Sequence, residues 1–110
     1  MTGASELTFT WDLPNDRTGW FVLSGDLVNM YAEQLLTEVS ERLAEHQELR
    51  DLWIDCAKVE VCDSRGLSVL LMVRRRTDSL GIVLHVVNRT RLLDRLLDRT
   101  GTSEYLTGEH

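Results

Sequence analysis

Val61-Cys62-Asp63-Ser64-Arg65-Gly66-Leu67-Ser68-Val69-Leu70-Leu71 joins a strand pattern to a helix pattern. Upstream lies the apolar run Leu52-Trp53-Ile54, and downstream Leu67, Leu70, Leu71 and Val73 recur at helical spacing. Asp63 or Ser64 at such a junction is a natural N-cap, because a side-chain oxygen accepts from the unpaired N–H groups of a first helical turn. Capping alone accounts for Asp63 but gives less reason for Ser64 and Gly66 to follow. A glycine there is expected to leave the surface beside the serine low and open.

Upstream, Leu7, Phe9 and Trp11 alternate with Thr8, Thr10 and Asp12, so Glu6 to Asp12 is expected to be a half-buried strand. Leu13 to Gly19 holds Pro14, Asn15, Asp16 and Gly19 and is expected to turn. Trp20 to Leu23 then pairs back as an antiparallel hairpin, and Ser24-Gly25-Asp26-Leu27 ends that strand. A helix over Asn29 to Glu45 is predicted from Ala32, Leu35, Leu36, Val39 and Leu43, with Asn29 as its cap. Leu49 to Cys56 is a third strand. Its three consecutive apolar residues predict a central strand covered on both faces. Ala57 to Cys62 is expected to be a short connection.

Downstream, the helix after Ser64 extends to about Ser79, and Arg74-Arg75-Arg76 near its end complements the helix dipole. Gly81 follows as a C-cap glycine. Ile82 to Val87 is a fourth strand. Asn88 to Thr100 is a helix with Leu92, Leu93, Leu96 and Leu97 inside, ended by Gly101, and Thr102 to Leu106 is a short edge strand or turn. The order β-β-α-β-α-β-α-(β) predicts an α/β fold. Its sheet is mixed and four- to five-stranded, with an antiparallel N-terminal edge hairpin and three to four helices packed on it. A length of 110 residues suits a single domain, 1–110, with a core over about 6–107 and short flexible termini.

Composition narrows the function. The net charge of −6 disfavours binding to nucleic acid, which needs a basic face. No apolar run approaches the ~20 residues of a membrane span, and Met1-Thr2-Gly3-Ala4-Ser5-Glu6 has no basic-then-apolar leader, so a cytoplasmic chain without membrane insertion is expected. Cys56 and Cys62 match no zinc or redox spacing and suit small buried thiols. His46, His85 and His110 are scattered and suggest no metal site. Neither internal histidine is forced near Ser64, and the nucleophile elbow, P-loop and dinucleotide fingerprint are absent, so no catalytic residue, cofactor or metal is expected.

The segment Asp63-Ser64-Arg65-Gly66-Leu67-Ser68-Val69-Leu70-Leu71 resembles the STAS domain of bacterial anti-sigma factor antagonists, where Asp-Ser-(Ser/Thr)-Gly-(Leu/Ile) opens the central helix. Leu23-Ser24-Gly25-Asp26-Leu27 resembles that family's Gly-(Glu/Asp)-(Leu/Ile)-Asp segment, Leu52-Trp53-Ile54-Asp55 its central strand, and Val87-Asn88 through Thr100-Gly101 its closing helix. The resemblance spans about residues 6 to 107 and implies the STAS fold. It further implies a non-enzymatic switch. Members bind an anti-sigma factor that is also an ATP-dependent serine kinase and so free a sigma factor. Phosphorylation of the serine after the motif aspartate, here Ser64, ends binding, and a PP2C-type phosphatase restores it. Asp26, Leu27, Asp63, Ser64, Arg65, Gly66 and Leu67 are the implied partner-binding residues. Two positions depart from the pattern: Arg65 stands where Ser or Thr is usual, and Val28 replaces the second aspartate of the Gly-(Glu/Asp) segment. Arg65 is left three roles: pairing with a phosphate, pairing with a partner's acid, or solvation. An apolar patch near Leu27, Val28 and Met30 is expected to serve a homodimer or the kinase interface. The alternative function is a STAS subunit of a lipid-transport ABC complex or a stress-signalling scaffold, which binds whatever the state of Ser64.

Overall fold

The computed structural model describes residues 5–107. Residues 1–4 and 108–110, within the termini expected to be flexible, lie outside the described residues, and His110 with them. The N-terminal alternation becomes β1 (Thr8–Asn15), which pairs antiparallel with β2 (Thr18–Leu27). The turn between them is only Asp16-Arg17, tighter than the Leu13 to Gly19 span expected. Pro14 lies within β1 instead. An edge strand tolerates a residue without an N–H, and the register slips by one between Asp12 and Asn15.

α1 (Asn29–Glu45) buries Ala32, Leu35, Val39 and Leu43 on one stripe. β3 (Asp51–Cys62), α2 (Ser64–Ser79), β4 (Val83–Val87), α3 (Arg91–Thr100) and α4 (Ser103–Thr107) follow. The strands lie in the order β1-β2-β3-β4, with β2, β3 and β4 parallel. The α/β class and the mixed sheet with its antiparallel edge therefore hold, with four strands and four helices among the described residues. No fifth strand forms over Thr102 to Leu106. Gly101 turns the chain at φ 70°, the Leu106 N–H donates to the Thr102 carbonyl, and Leu106 drops into the core as part of a helix.

β3 is longer than expected. Ala57 to Cys62 continues the strand because the second half of β2 pairs with it, Ser24 opposite Lys58 and Leu27 opposite Cys62. β4 pairs only with Asp51 to Asp55, so the far half of β3 has one strand neighbour. Two one-residue slips occur along this pairing, one of them between Gly25 and Leu27. Gly25 has φ +116°, and a Cβ there would lie 2.2 Å from the Glu6 carbonyl oxygen, so both torsion and space require glycine.

One hydrophobic cluster unites alternate strand residues (Phe21, Leu23, Leu52, Ile54, Leu84, Val86) with leucines and valines of all four helices. The opposite face of the sheet carries no part of this cluster. There Trp53 lies between Trp20, ring centroids 5.2 Å apart, and His85, 3.9 Å apart, and the rings stack at 18° and 12°. This corrects the expectation that β3 is covered on both faces. β3 is central by hydrogen bonding, but stacked side chains, not helices, shield Trp53. Trp11 alone of the three tryptophans packs at the core edge, 4.7 Å from Phe21.

α3 begins at Arg91, not Asn88, because the Thr90 hydroxyl oxygen caps it by accepting the Leu93 N–H at 3.3 Å. Leu93 and Leu97, four residues apart, face the core, whereas Leu92, expected inside, is 61% exposed. Four leucines in two adjacent pairs span a wider arc than one sheet contact covers.

Candidate functional site

The site is built around one carboxylate. Asp63 stands between β3 and α2 with extended backbone, and its Oδ1 accepts the Gly66 N–H at 2.8 Å. That is the N-cap bond to the third helical residue, worth about 1 kcal/mol. Its Oδ2 accepts the Asn29 N–H at 3.2 Å. Asn29 is the first residue of α1, and Val28 before it offers no side-chain cap. Asp63 thus supplies an acceptor at the start of both helices. Asn29, expected to cap α1, instead adopts φ 49° inside its first turn, a conformation asparagine tolerates better than most residues. The Asp63 N–H donates to the Leu27 carbonyl at 3.3 Å. The carboxyl ends of parallel strands β2 and β3 and the N-termini of α1 and α2 therefore meet at one point, the edge where sheets of this kind present ligand sites.

Gly66 is buried. A Cβ on it would sit 2.1 Å from the Leu27 carbonyl oxygen and 2.9 Å from the Cys62 Sγ. Its role is close approach of α2 to β2, a correction of the expected open surface. Ser64 is exposed because it is the first residue of α2, and its hydroxyl has no hydrogen-bond partner among the described residues. Arg65 is also exposed. Its Nη1 lies 3.2 Å from Glu33 Oε1 on α1, with both side chains 58% exposed, and a pair so solvated contributes about 0–1 kcal/mol. Sequence reasoning missed both Asn29 N–H and Glu33 as members of this site. Asparagine's tolerance of left-handed backbone was the available signal for the first. Nothing local pointed to the second, 32 positions from Arg65.

The remaining residues lie further in. Leu27 is fully buried and Leu67 is 8% exposed, so their side chains support the site from within. Asp26 is half-buried. Its Oδ2 accepts the Ser5 N–H at 2.8 Å and its own N–H donates to the Ser5 carbonyl, which fastens the chain entering β1. The expected apolar patch shrinks to one residue: Leu27 and Val28 are buried, and only Met30, 67% exposed, reaches solvent.

Cys56 and Cys62 both lie in β3, and burial pushes each thiol up to about 12, helped by Asp55 for Cys56 and by Asp63 for Cys62. Iodoacetamide at pH 8 is therefore expected to leave the native chain unmodified and to label both thiols in denaturant, read by intact mass. Labelling of native Cys62 would show that the junction opens. The raised folded values also mean that this contribution to stability is present below pH 9 and is lost as pH rises toward 12, because the unfolded thiols ionise first. Among the described residues no group of three or more His, Cys, Asp or Glu could hold a metal, and no helix is long and apolar enough to cross a membrane.

A family model described as "Mlab, STAS domain" matches residues 15–108. No curated protein matches the chain. Among solved structures, the anti-sigma factor antagonist SpoIIAA in its unphosphorylated form has a TM-score of 0.76 at 15% identity, over 89% of this chain and 84% of that one. SpoIIAA from Bacillus in its phosphorylated form has a TM-score of 0.70 at 15% identity, over 89% and 87%. An anti-sigma factor antagonist from Mycobacterium paratuberculosis has a TM-score of 0.75 at 23% identity, over 90% and 81%. These likenesses establish a shared fold.

Proposed function

The chain belongs to the STAS domain family, and from that membership we propose that it is an anti-sigma factor antagonist. In this reading it binds an anti-sigma factor serine kinase, frees a sigma factor, and is released when Ser64 is phosphorylated. The observation that carries this reading is the unpartnered Ser64 hydroxyl, exposed on a frame that Asp63 holds rigid from both helices.

The chemistry is transfer of the γ-phosphoryl of ATP to Ser64 Oγ, with ADP leaving and the hydroxyl proton passing to a base on the kinase. The phosphate adds about −1.5 to −2 charges. The Ser64 and Arg65 N–H groups open the helix without intrahelical acceptors, and with the helix dipole they favour an anion there. The fold is thereby expected to persist while the surface changes. Asp63 and Asp26 already make this edge acidic, so a partner surface fitted to a neutral hydroxyl meets bulk and charge instead. A PP2C-type phosphatase would reset the site.

Intact-mass measurement after incubation with ATP and the anti-sigma kinases of the same cell tests this reading. A gain of one phosphate, absent in Ser64→Ala, is the expected result. A second reading keeps the binding but drops the switch: a STAS subunit of a lipid-transport ABC complex, or a scaffold, held to its partner at all times. Arg65 favours it, because a bulky guanidinium stands exposed beside Ser64 where a small hydroxyl residue is usual. Stable binding to one partner without phosphate transfer from any kinase would select that reading.

A further inference from the structure

α1 and α2 run side by side in the same direction. Asp63 and Asn29 join their N-termini, and farther along Arg76 Nη2 donates to Ser40 Oγ at 3.3 Å. Between their C-terminal halves lies a groove of ≈ 490 Å³ lined by Leu36, Ser40, Met72, Arg75, Arg76 and Ser79. It continues past Ser40 and Arg76 into a hollow of ≈ 450 Å³ that reaches Leu80. Met72 and Leu80 are 44% and 54% exposed on it.

The charge is the decisive feature. The chain has 18 acidic residues and a net charge of −6, yet no carboxylate lines either hollow. Arg74 is committed: its Nε lies 2.9 Å from Asp78, its Nη1 donates to the Tyr105 carbonyl, and its guanidinium stands over the Tyr105 ring. Arg75 has no ion-pair partner among the described residues, and Arg76 meets only a hydroxyl. Complementing the helix dipole needs one terminal cation, which Arg76 supplies, and leaves Arg75 unused.

We infer that this groove is a second docking surface, fitted to an acidic amphipathic helix of a protein partner, and that it accepts that helix whatever the state of Ser64. An apolar floor with cations on its wall matches a helix carrying leucine-type side chains on one face and carboxylates beside them, the helix-in-groove mode of recognition. The reach from Met72 to Leu80 is about 12 Å at 1.5 Å per residue, room for two to three turns of guest. From Ser64 to Arg76 the same rise gives about 18 Å, beyond the Debye length of about 8 Å at physiological ionic strength, so charge at the one place is screened from the other. This inference does not rest on the proposed switch.

The probe is a fluorescein-labelled helical peptide of about 16 residues with Leu and Glu at helical spacing, set against the same peptide with Lys for Glu. Fluorescence anisotropy is expected to give micromolar binding of the Glu peptide that weakens with salt, and none of the Lys peptide. Arg75→Gln with Arg76→Gln should weaken it about tenfold, while Ser64→Asp should change it less than about twofold. Thermal melts of the double variant, altered only at exposed positions, check that the fold is kept. Equal binding of the Lys peptide, wild-type affinity in the double variant, or no binding at about millimolar peptide would overturn the inference. A Ser64→Asp loss as large as that of the arginine variant would overturn its independence from Ser64.

Discussion

Gly66→Ala is expected to destabilise the chain by about 3 kcal/mol, a fall in Tm of roughly 10–20 °C. Helix propensity alone predicts the opposite sign, a gain of about 0.5–1 kcal/mol from replacing a helical glycine. Packing decides the outcome. The added Cβ would meet the Leu27 carbonyl oxygen at 2.1 Å, and that atom is backbone of a paired strand and cannot swing aside. α2 must therefore move outward, which strains the Asp63 N–H bond to the same carbonyl and the Asp63 cap on residue 66. Overpacking at about 1–3 kcal/mol and a lost cap at about 1 kcal/mol exceed the propensity gain. Gly81→Ala is the control: φ is +71° there but nothing lies within 4 Å, so only the torsional cost of about 1 kcal/mol applies. Urea denaturation followed by circular dichroism compares the two. Equal losses would mean that α2 is not held against β2 by contact.

Ser64→Asp is expected to weaken binding to the anti-sigma kinase by about 100-fold or more, whereas Ser64→Ala binds as the unmodified chain does. A charge left unpaired in a buried interface costs about 2–5 kcal/mol, which spans roughly 30-fold to several thousandfold. The same substitution should leave stability unchanged or raise it by about 0.3–1 kcal/mol, because a negative charge suits the first turn of α2. Binding and stability thus move independently, which separates a switch from a damaged fold. Titration calorimetry gives the first quantity and urea denaturation the second. Unaltered binding by Ser64→Asp would favour the constitutive reading. Loss of stability together with binding would place Ser64 in the frame of the fold.

The elements legible in the sequence were those with a clean period. α1 and α2 have one dominant apolar stripe each, and the parallel connections followed from the alternation of strands and helices. Where the pattern was ambiguous, neighbours decided. Ala57 to Cys62 carries mixed exposure and becomes strand only because Ser24 to Leu27 lies alongside. Leu52-Trp53-Ile54 looked fully enclosed, yet Trp53 faces away from the helices, since an aromatic side chain can be sheltered by rings on adjacent strands. In the candidate site, the cap at Asp63 was legible because it is local. Its second bond, to Asn29, joins positions 34 residues apart and depends on how closely β2 and β3 end together. The burial of Gly66 was hidden for the same reason, since a glycine in a sequence does not say which atom approaches it.

The row Trp20, Trp53 and His85 has an optical consequence. Two indoles stacked at 5.2 Å couple their electronic transitions, and an imidazole stacks 3.9 Å from the second. Trp11, on the core side of the sheet, is set apart from that pair. The chain therefore carries an intrinsic reporter for the face that no helix covers. Near-ultraviolet dichroism of the coupled pair should respond to whatever settles on that face, whereas a partner in the groove beside His46 reaches Trp11 alone, whose ring stacks on that imidazole, so the two surfaces give different tryptophan signals without any label.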